Sequence, residues 1–385
     1  MFRTVVVHER GTYLGKRGER LVIRRPTKST PSSKANATEA PAAADGKIQP
    51  DGKNQADGKN QPDGQNVHNV RPSRSARDEE EIPFFRIGEI VLPPRAASLS
   101  TDVIEEAALR GIPITFVNPA GQPYAMLTSP MFTATVLTRR AQLRAMERKE
   151  GAELCRSFVT GKLRNQASLL AYFSKSEKSD KPRRERVLQA AADVRKARKS
   201  ALAVEGTCPD AVRDTLMGTE GAGAKAYWSG VKALLEGRCD FQGRKGRGAV
   251  DPVNAMLNYG YGILSSRCWA ALLHAGLDPF AGMLHADRSG KPSLVLDLME
   301  ELRAPAVDRA VIAHVRLGQP VRFEGNFLDD STRKAIAAAV LERLESPVMI
   351  AGKKYQLGSV VQRQARAVAN HVRGEEPYKP FAMTW

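Results

Sequence analysis

The chain has 385 residues and carries 59 Lys and Arg against 42 Asp and Glu, a formal net charge of +17; it is long enough for two domains with their own cores. Such an excess attracts polyanions, either nucleic acid or an anionic membrane surface, but no run of about 18 apolar residues spans a bilayer and the short apolar N-terminal stretch is no secretory signal, so a cytoplasmic protein is expected. Cys155, Cys208, Cys239 and Cys268 lack CxxC spacing, which excludes a zinc ribbon or disulfide framework, and without GxxxxGK[ST] or a strand-borne GxGxxG there is no visible nucleotide-hydrolysis machinery.

Residues 4–7 and 20–23 read as short β-branched strands separated by a turn region from Gly11 to Gly18. From Pro26 to about Glu80 the composition shifts to Pro, Ala, Ser, Asn and Asp without an aromatic residue, with a six-residue repeat starting at Asp45, Asp51, Asp57 and Asp63. This tract, 26–80, buries too little apolar area to offset its ordering entropy and is expected to be disordered. Strand signals resume at 82–87 and 89–92, so the tract reads as a loop insertion within one domain. Closing a loop of about 50 residues costs only about 2 kcal/mol more than closing one of about six, because the penalty is logarithmic in length.

Thr101 or Asp102 caps a helix to Arg110, stopped by Gly111 with Pro113 beyond, and 114–117 is another strand. After Ser129 the pattern becomes long amphipathic segments at 132–147, 152–173, 184–203, 210–235, 253–275, 293–303, 305–317 and 330–344. The expected fold is α+β, with a small β-rich domain over 1–127 and a larger all-α catalytic domain over 128–385.

The basic residues concentrate in the helical half. Lys181, Arg183, Arg184, Arg186, Arg195, Lys196, Arg198 and Lys199 share one segment, and Arg238, Arg244, Lys245 and Arg247 lie in a Gly-rich loop. A charged helix is ordinarily solvated surface. The loop is the better DNA-binding candidate, because glycines let the backbone approach phosphates that the arginines contact.

The densest chemistry lies between Gly282 and Arg303. Asp297 and Glu300 are three apart in a helical pattern, which puts both on one face, and His285 precedes them on a Gly-containing turn. Imidazole with carboxylates suits Mn2+, or Mg2+ when phosphate oxygens complete the shell. A solvated acidic face with a hydrogen-bonded histidine has the same spacing, and the residues alone leave both readings open.

Four segments in order carry a family resemblance: Leu216-Met-Gly-Thr-Glu220-Gly221; Asp251-Pro-Val-Asn254 through Tyr261; Gly276-Leu-Asp-Pro-Phe280 through His285; and Ser293 through Asp297, Glu300, Arg303, Pro305, Asp308 and Arg309. With the β-rich N-terminal region, they make the chain resemble the Cas1 integrases of CRISPR spacer acquisition, over roughly residues 1–25 and 81–385. The resemblance implies Glu220, His285 and Glu300 as ligands of Mg2+ or Mn2+, with Asp297 beside them as an auxiliary catalytic acid. Glu301 is an adjacent competitor of Glu300, turned about 100° away on a helix.

The resemblance also implies double-stranded DNA substrates (prespacer and CRISPR repeat), a homodimer, a complex with Cas2, and an end-trimming factor such as Cas4. The expected reaction is metal-dependent attack of a DNA 3'-hydroxyl on a repeat phosphodiester. A metal-dependent nuclease of branched or damaged DNA, and a non-catalytic DNA-binding scaffold, are the alternatives. Asn254 and Tyr261 read as buttresses of the site helix, and Arg303, Asp308 and Arg309 as ordinary salt-bridged surface. The 26–80 insertion departs from the tight strand connection of the family.

Overall fold

The computed structural model describes residues 3–7, 9, 11–26, 78–93, 97–119, 121–129, 135–246 and 251–385. Strands β1 (Arg3–Val6), β2 (Thr12–Arg17), β3 (Arg20–Arg25), β4 (Asp78–Pro83), β5 (Ile87–Leu92), β6 (Ala97–Leu99), β7 (Ile114–Val117) and β8 (Pro123–Leu127) make up the N-terminal region together with helix α1 (Thr101–Leu109). They form two sheets, ordered β1-β5-β7-β8 and β4-β3-β2-β6. Leu14, Leu21, Ile23, Phe84, Ile90 and Val103 belong to one apolar core.

The span from Gly11 to Gly18 is not the turn that its composition suggested. Thr12–Arg17 is a strand paired with β3, and the reversal is confined to its end, where Gly18 takes a φ of 57°. Glycine and charge at alternate positions masked the period of two there. The strand expected over 82–87 is likewise split, because β4 ends at Pro83 and a 3-10 turn over Phe84–Arg86 leads into β5.

β3 and β4 pair antiparallel from Arg20↔Pro83 to Arg25↔Asp78. The residues flanking the Pro- and Asn-rich tract are therefore neighbours in one sheet. The last three residues assigned to that tract, 78–80, belong to β4. An Asp-Glu-Glu-Glu strand has poor intrinsic β preference, which is offset by cross-strand pairs of Arg24 with Glu79 at 2.9 Å and Arg25 with Glu80 at 2.5 Å. The disorder expected of 27–77 lies outside the described residues.

The larger region contains α2 (Thr135–Ala145), α3 (Lys149–Ser174), α4 (Lys181–Leu202), α5 (Pro209–Leu235), α6 (Pro252–His274), α7 (Ser293–Leu302), α8 (Arg309–Arg316), α9 (Asp330–Glu345) and α10 (Leu357–Val372). Two small hairpins, β9 (Phe323–Glu324) with β10 (Phe327–Leu328) and β11 (Pro347–Ile350) with β12 (Lys353–Gln356), modify the expected all-helical character. Pro305 does not break the chain between two helices as expected. Arg303–Asp308 winds as a π-helix that carries α7 into α8, and the wider turn accommodates a residue without an N–H.

Helix α6 is capped by Asp251, whose carboxylate accepts from the Asn254 amide, with Pro252 in the first turn. It is buried on most sides and joins the two regions. On β5, Glu89 lies 2.8 Å from Arg267 of α6 and accepts from Thr115 at 3.1 Å. Burial pushes the Glu89 carboxyl up and Arg267 opposes that shift. A Cβ at Gly262 would fall 2.0 Å from the Gly121 carbonyl, so only glycine permits this approach. No described helix is long and apolar enough to cross a membrane.

Candidate active site

Helix α3 presents Cys155, Phe158, Val159, Leu163 and Gln166 to the interior at helical spacing, and Lys162 falls within that stripe. A lysine so placed must find anions. Its ammonium lies 2.5 Å from Glu220 Oε1 on α5 and 2.6 Å from Glu300 Oε2 on α7. Burial pulls the Lys162 pKa down, but Glu300 and Glu220 outweigh burial and raise it. At the start of the π-helix, Arg303 adds a second cation 3.3 Å from Glu300 Oε1.

Burial by itself would raise the Glu300 carboxyl. The charges of Arg303 and Lys162 prevail and bring it down to about 2, so it is a carboxylate at neutral pH. Apart from the ion pair with Lys162, Glu300 Oε2 is shut off from solvent without a well-aligned donor.

Asp297 sits one turn earlier on α7 and is fully buried. Its Oδ2 accepts from the amides of Met283 at 2.7 Å and Leu284 at 3.0 Å, and its Oδ1 from the His285 amide at 3.0 Å. His285 Nδ1 lies 2.7 Å from Oδ1. A carboxylate only accepts, so Nδ1 carries the hydrogen, and in the neutral ring the lone pair is then on Nε2.

Arg213 of α5 clamps the same loop by donating to the carbonyls of Met283 and Leu284, both at 3.1 Å. A Cβ at Gly282 would meet Ser293 Cβ at 2.5 Å, which explains the glycine. Of the two acids expected side by side, Asp297 has both oxygens engaged by the loop, and Glu300 is the one that faces Glu220 through Lys162.

Glu301 points the other way. It accepts from Gln364 at 2.9 Å, Tyr378 at 2.8 Å and the Phe381 amide at 2.8 Å. Burial pushes its carboxyl up to about 7 against the pull of those three donors.

The reading of Arg303, Asp308 and Arg309 as ordinary surface is corrected. Asp308 is buried and accepts from Tyr227 at 2.7 Å and from Tyr261, and burial raises its carboxyl. Arg303 stacks 4.7 Å over Tyr261, and Arg309 stacks on Tyr172 and Trp385. Asn254 and Tyr261 together organise the Gly-rich loop. Arg244 donates to Asn254 at 2.9 Å and Asn258 at 2.7 Å and stacks 5.3 Å over Tyr261, so its guanidinium anchors the loop. Arg238 and Lys245 are exposed, with Arg238 donating to the Arg316 carbonyl at 2.9 Å. Arg247 lies outside the described residues. On α4, Lys181, Arg184, Arg186, Arg195, Lys196 and Lys199 are exposed.

Among the described residues, no three His, Cys, Asp or Glu side chains are grouped to hold a metal ion. The trio of Glu220, His285 and Glu300 is not drawn around one point, since the Lys162 ammonium stands between its two carboxylates. The donor set itself suits Mg2+ or Mn2+: two carboxylate oxygens and an imidazole oriented from behind by a third carboxylate. Lys162, the role of Arg303 and the Arg213 clamp were not anticipated from the sequence. A lysine inside the apolar stripe of α3 was the available signal for the first.

The sequence profile of the CRISPR associated protein Cas1 family matches residues 66–342. A CRISPR-associated endonuclease Cas1 from Archaeoglobus fulgidus is 35% identical over 302 residues, which cover 75% of this chain and 87% of that protein. A casposase bound to integration product superposes with a TM-score of 0.72 at 20% identity, covering 98% of this chain and 92% of that one. A Cas6-RT-Cas1–Cas2 complex superposes at 0.68 with 17% identity, covering all of this chain, 100%, and 36% of that one. A strand-rich N-terminal region followed by a larger helical one is the fold they share.

Proposed function

The chain belongs to the Cas1 family, and from that premise we propose that it is a divalent-metal-dependent DNA endonuclease and integrase of CRISPR adaptation. It joins the 3'-hydroxyl of prespacer DNA to a phosphodiester of the CRISPR repeat. The observation that carries this reading is the convergence of Glu220 and Glu300 on one buried cationic position, near an imidazole whose Nδ1 is taken by Asp297. Glu220, His285 and Glu300 would hold Mg2+ or Mn2+, which when bound polarises a phosphodiester and stabilises the charge developing on it.

The chain's own residues set up that chemistry. Glu300 is held ionised by the cations around it, so it needs no deprotonation at working pH. Asp297 fixes both the tautomer of His285 and the backbone that carries it. Arg303 keeps a positive charge beside Glu300, locked in orientation by the Tyr261 ring. The exposed basic residues of α4, with Arg238 and Lys245, offer phosphate contacts to hold the two DNAs in register. Burial pushes the Cys155 and Cys268 thiols up, which makes them poor nucleophiles and favours direct attack by a DNA hydroxyl.

The partners under this reading are prespacer and repeat DNA, a second copy of the chain, a Cas2 subunit of the kind in the superposed complex, and an end-trimming factor such as Cas4, acting in the cytoplasm. The test is an integration assay with purified protein and its genomic small partner, a 3'-hydroxyl prespacer duplex and a repeat-bearing plasmid. It is run with Mn2+, Mg2+ or chelator, beside Glu220→Ala and His285→Ala. Metal-dependent joining that both substitutions abolish is the expected result. Release of ends without joining would instead identify a nuclease, and salt-sensitive binding without turnover under any metal would identify a DNA scaffold.

A further inference from the structure

Lys162 is a full positive charge in the position that two acidic side chains share. Among the described residues its polar contacts are those two carboxylates, at 2.5 and 2.6 Å. Arg303 is held differently, by an aromatic ring as well as by Glu300. The lysine stem is flexible and its head is a compact point charge, whereas the arginine fork is locked. The way out lies on the Glu220 side, where the side chains of Lys162 and Glu220 keep 13% and 17% of their exposure against 5% for Glu300.

The local charge count gives this arrangement a consequence. Three carboxylates (Glu220, Asp297 and Glu300) meet two cations (Lys162 and Arg303), with the imidazole neutral as metal ligation requires. The group carries one negative charge, which a divalent ion converts to one positive. A phosphodiester supplies the missing anion.

We propose that Lys162 is a resident counter-ion that competes with the divalent metal. The ion is taken up as the ammonium is driven from between Glu220 and Glu300, and the displaced ammonium, the one charge then left without a counter-ion, is neutralised by a DNA phosphate. Metal and DNA binding therefore reinforce each other, reciprocally. This inference rests on the proposed metal site and adds the residue that holds that site closed until both ligands arrive.

Calorimetric titration with Mn2+ and thermal melts, on wild type, Lys162→Met and Lys162→Gln, provide the test. Removing the competing charge is expected to tighten Mn2+ binding without DNA by about tenfold or more. Lys162→Met is expected to melt lower than wild type without metal and to gain a larger shift when Mn2+ is added. A DNA duplex is expected to tighten Mn2+ binding more in wild type than in the variant. Lys162→Gln, which keeps a polar head, gives the same readout should the methionine variant fail to fold.

Two results would overturn the proposal. Mn2+ binding that Glu220→Gln and His285→Ala remove, yet that is equal in wild type and both Lys162 variants, overturns the counter-ion and leaves the integrase reading intact. An absence of Mn2+ binding in wild type and in the Lys162 variants alike overturns both.

Discussion

The two sides of α7 bury neighbouring glutamates to opposite effect. Glu300 faces Arg303 and Lys162 and is brought down to about 2. Glu301, the next residue, faces Tyr378, Gln364 and a backbone amide and is pushed up to about 7. Both carboxyls are buried, so the difference comes from the neighbours: full charges outweigh the cost of desolvation, and neutral donors only reduce it. One side of the helix keeps its acid as an anion. The other uses a similar acid to tie residues 378–381 to the core.

The division predicts separable defects. The largest is expected from His285→Ala, which should lower strand transfer by about three orders of magnitude, roughly 4 kcal/mol of transition-state stabilisation, while hardly moving the melting temperature. A variant that still integrates at wild-type rate would remove the chemical assignment of this side. Glu301→Ala should do the reverse. It should cost about 3 kcal/mol in denaturant unfolding by stranding three donors, with activity per folded molecule unchanged, and a specific loss of turnover would show that the two sides are not independent.

The pH dependence of stability offers a sharper comparison. The Glu301 carboxyl is raised in the folded state, so its contribution is complete below the ordinary value of 4.5 and is lost as pH rises through about 7. The loss should approach about 3 kcal/mol, and Glu301→Gln should flatten it in unfolding titrations between pH 4.5 and 8. Glu300 has the opposite sign. Its contribution is complete above 4.5 and is lost as pH falls toward about 2, so retention of Glu301's slope in a Glu301→Gln variant would mean that the wrong acid has been given it. The smallest effect on turnover is expected from Asp297→Asn, which keeps the shape but replaces one accepting oxygen by a donor and so weakens the hold on His285 and its loop. Activity should fall about 10- to 100-fold with a raised metal requirement, and an unchanged metal titration would remove Asp297 from the positioning of the ring.

Local signals made much of the architecture legible. Periodicity marked α2 to α9, and turn residues marked α1 and its neighbours. Helix α10 buries Leu357, Val360, Val361, Ala365, Val368, Ala369 and Val372, a spacing that by itself specifies a helix, yet it lies beyond the last helix expected from the sequence. Strand β2 was hidden by its glycine and charges, and the π-helix by a proline that normally ends a helix. His285, Asp297 and Glu300 stood out because they are near neighbours in the chain. Glu220 had no local mark and came from family resemblance alone. Lys162 pairs with a residue on α5 and another on α7, and contacts at such separations are set by tertiary packing that no window of sequence contains.

The anchoring of residues 378–383 also bears on the order in which the chain folds. Asn165 donates to the Phe381 carbonyl, 216 residues later, and Glu301 accepts from the Phe381 amide, 80 residues later. Until that segment has been synthesised, α3 and α7 pack with Asn165 lacking its partners Phe381 and Met383 and with Glu301 keeping Gln364 alone of its three donors. Contacts of such long range carry the greatest loop-closure cost and form slowly. The wall behind Glu300 is therefore sealed last, and a nascent chain halted before residue 378 should hold its helices in a loosened, protease-sensitive form.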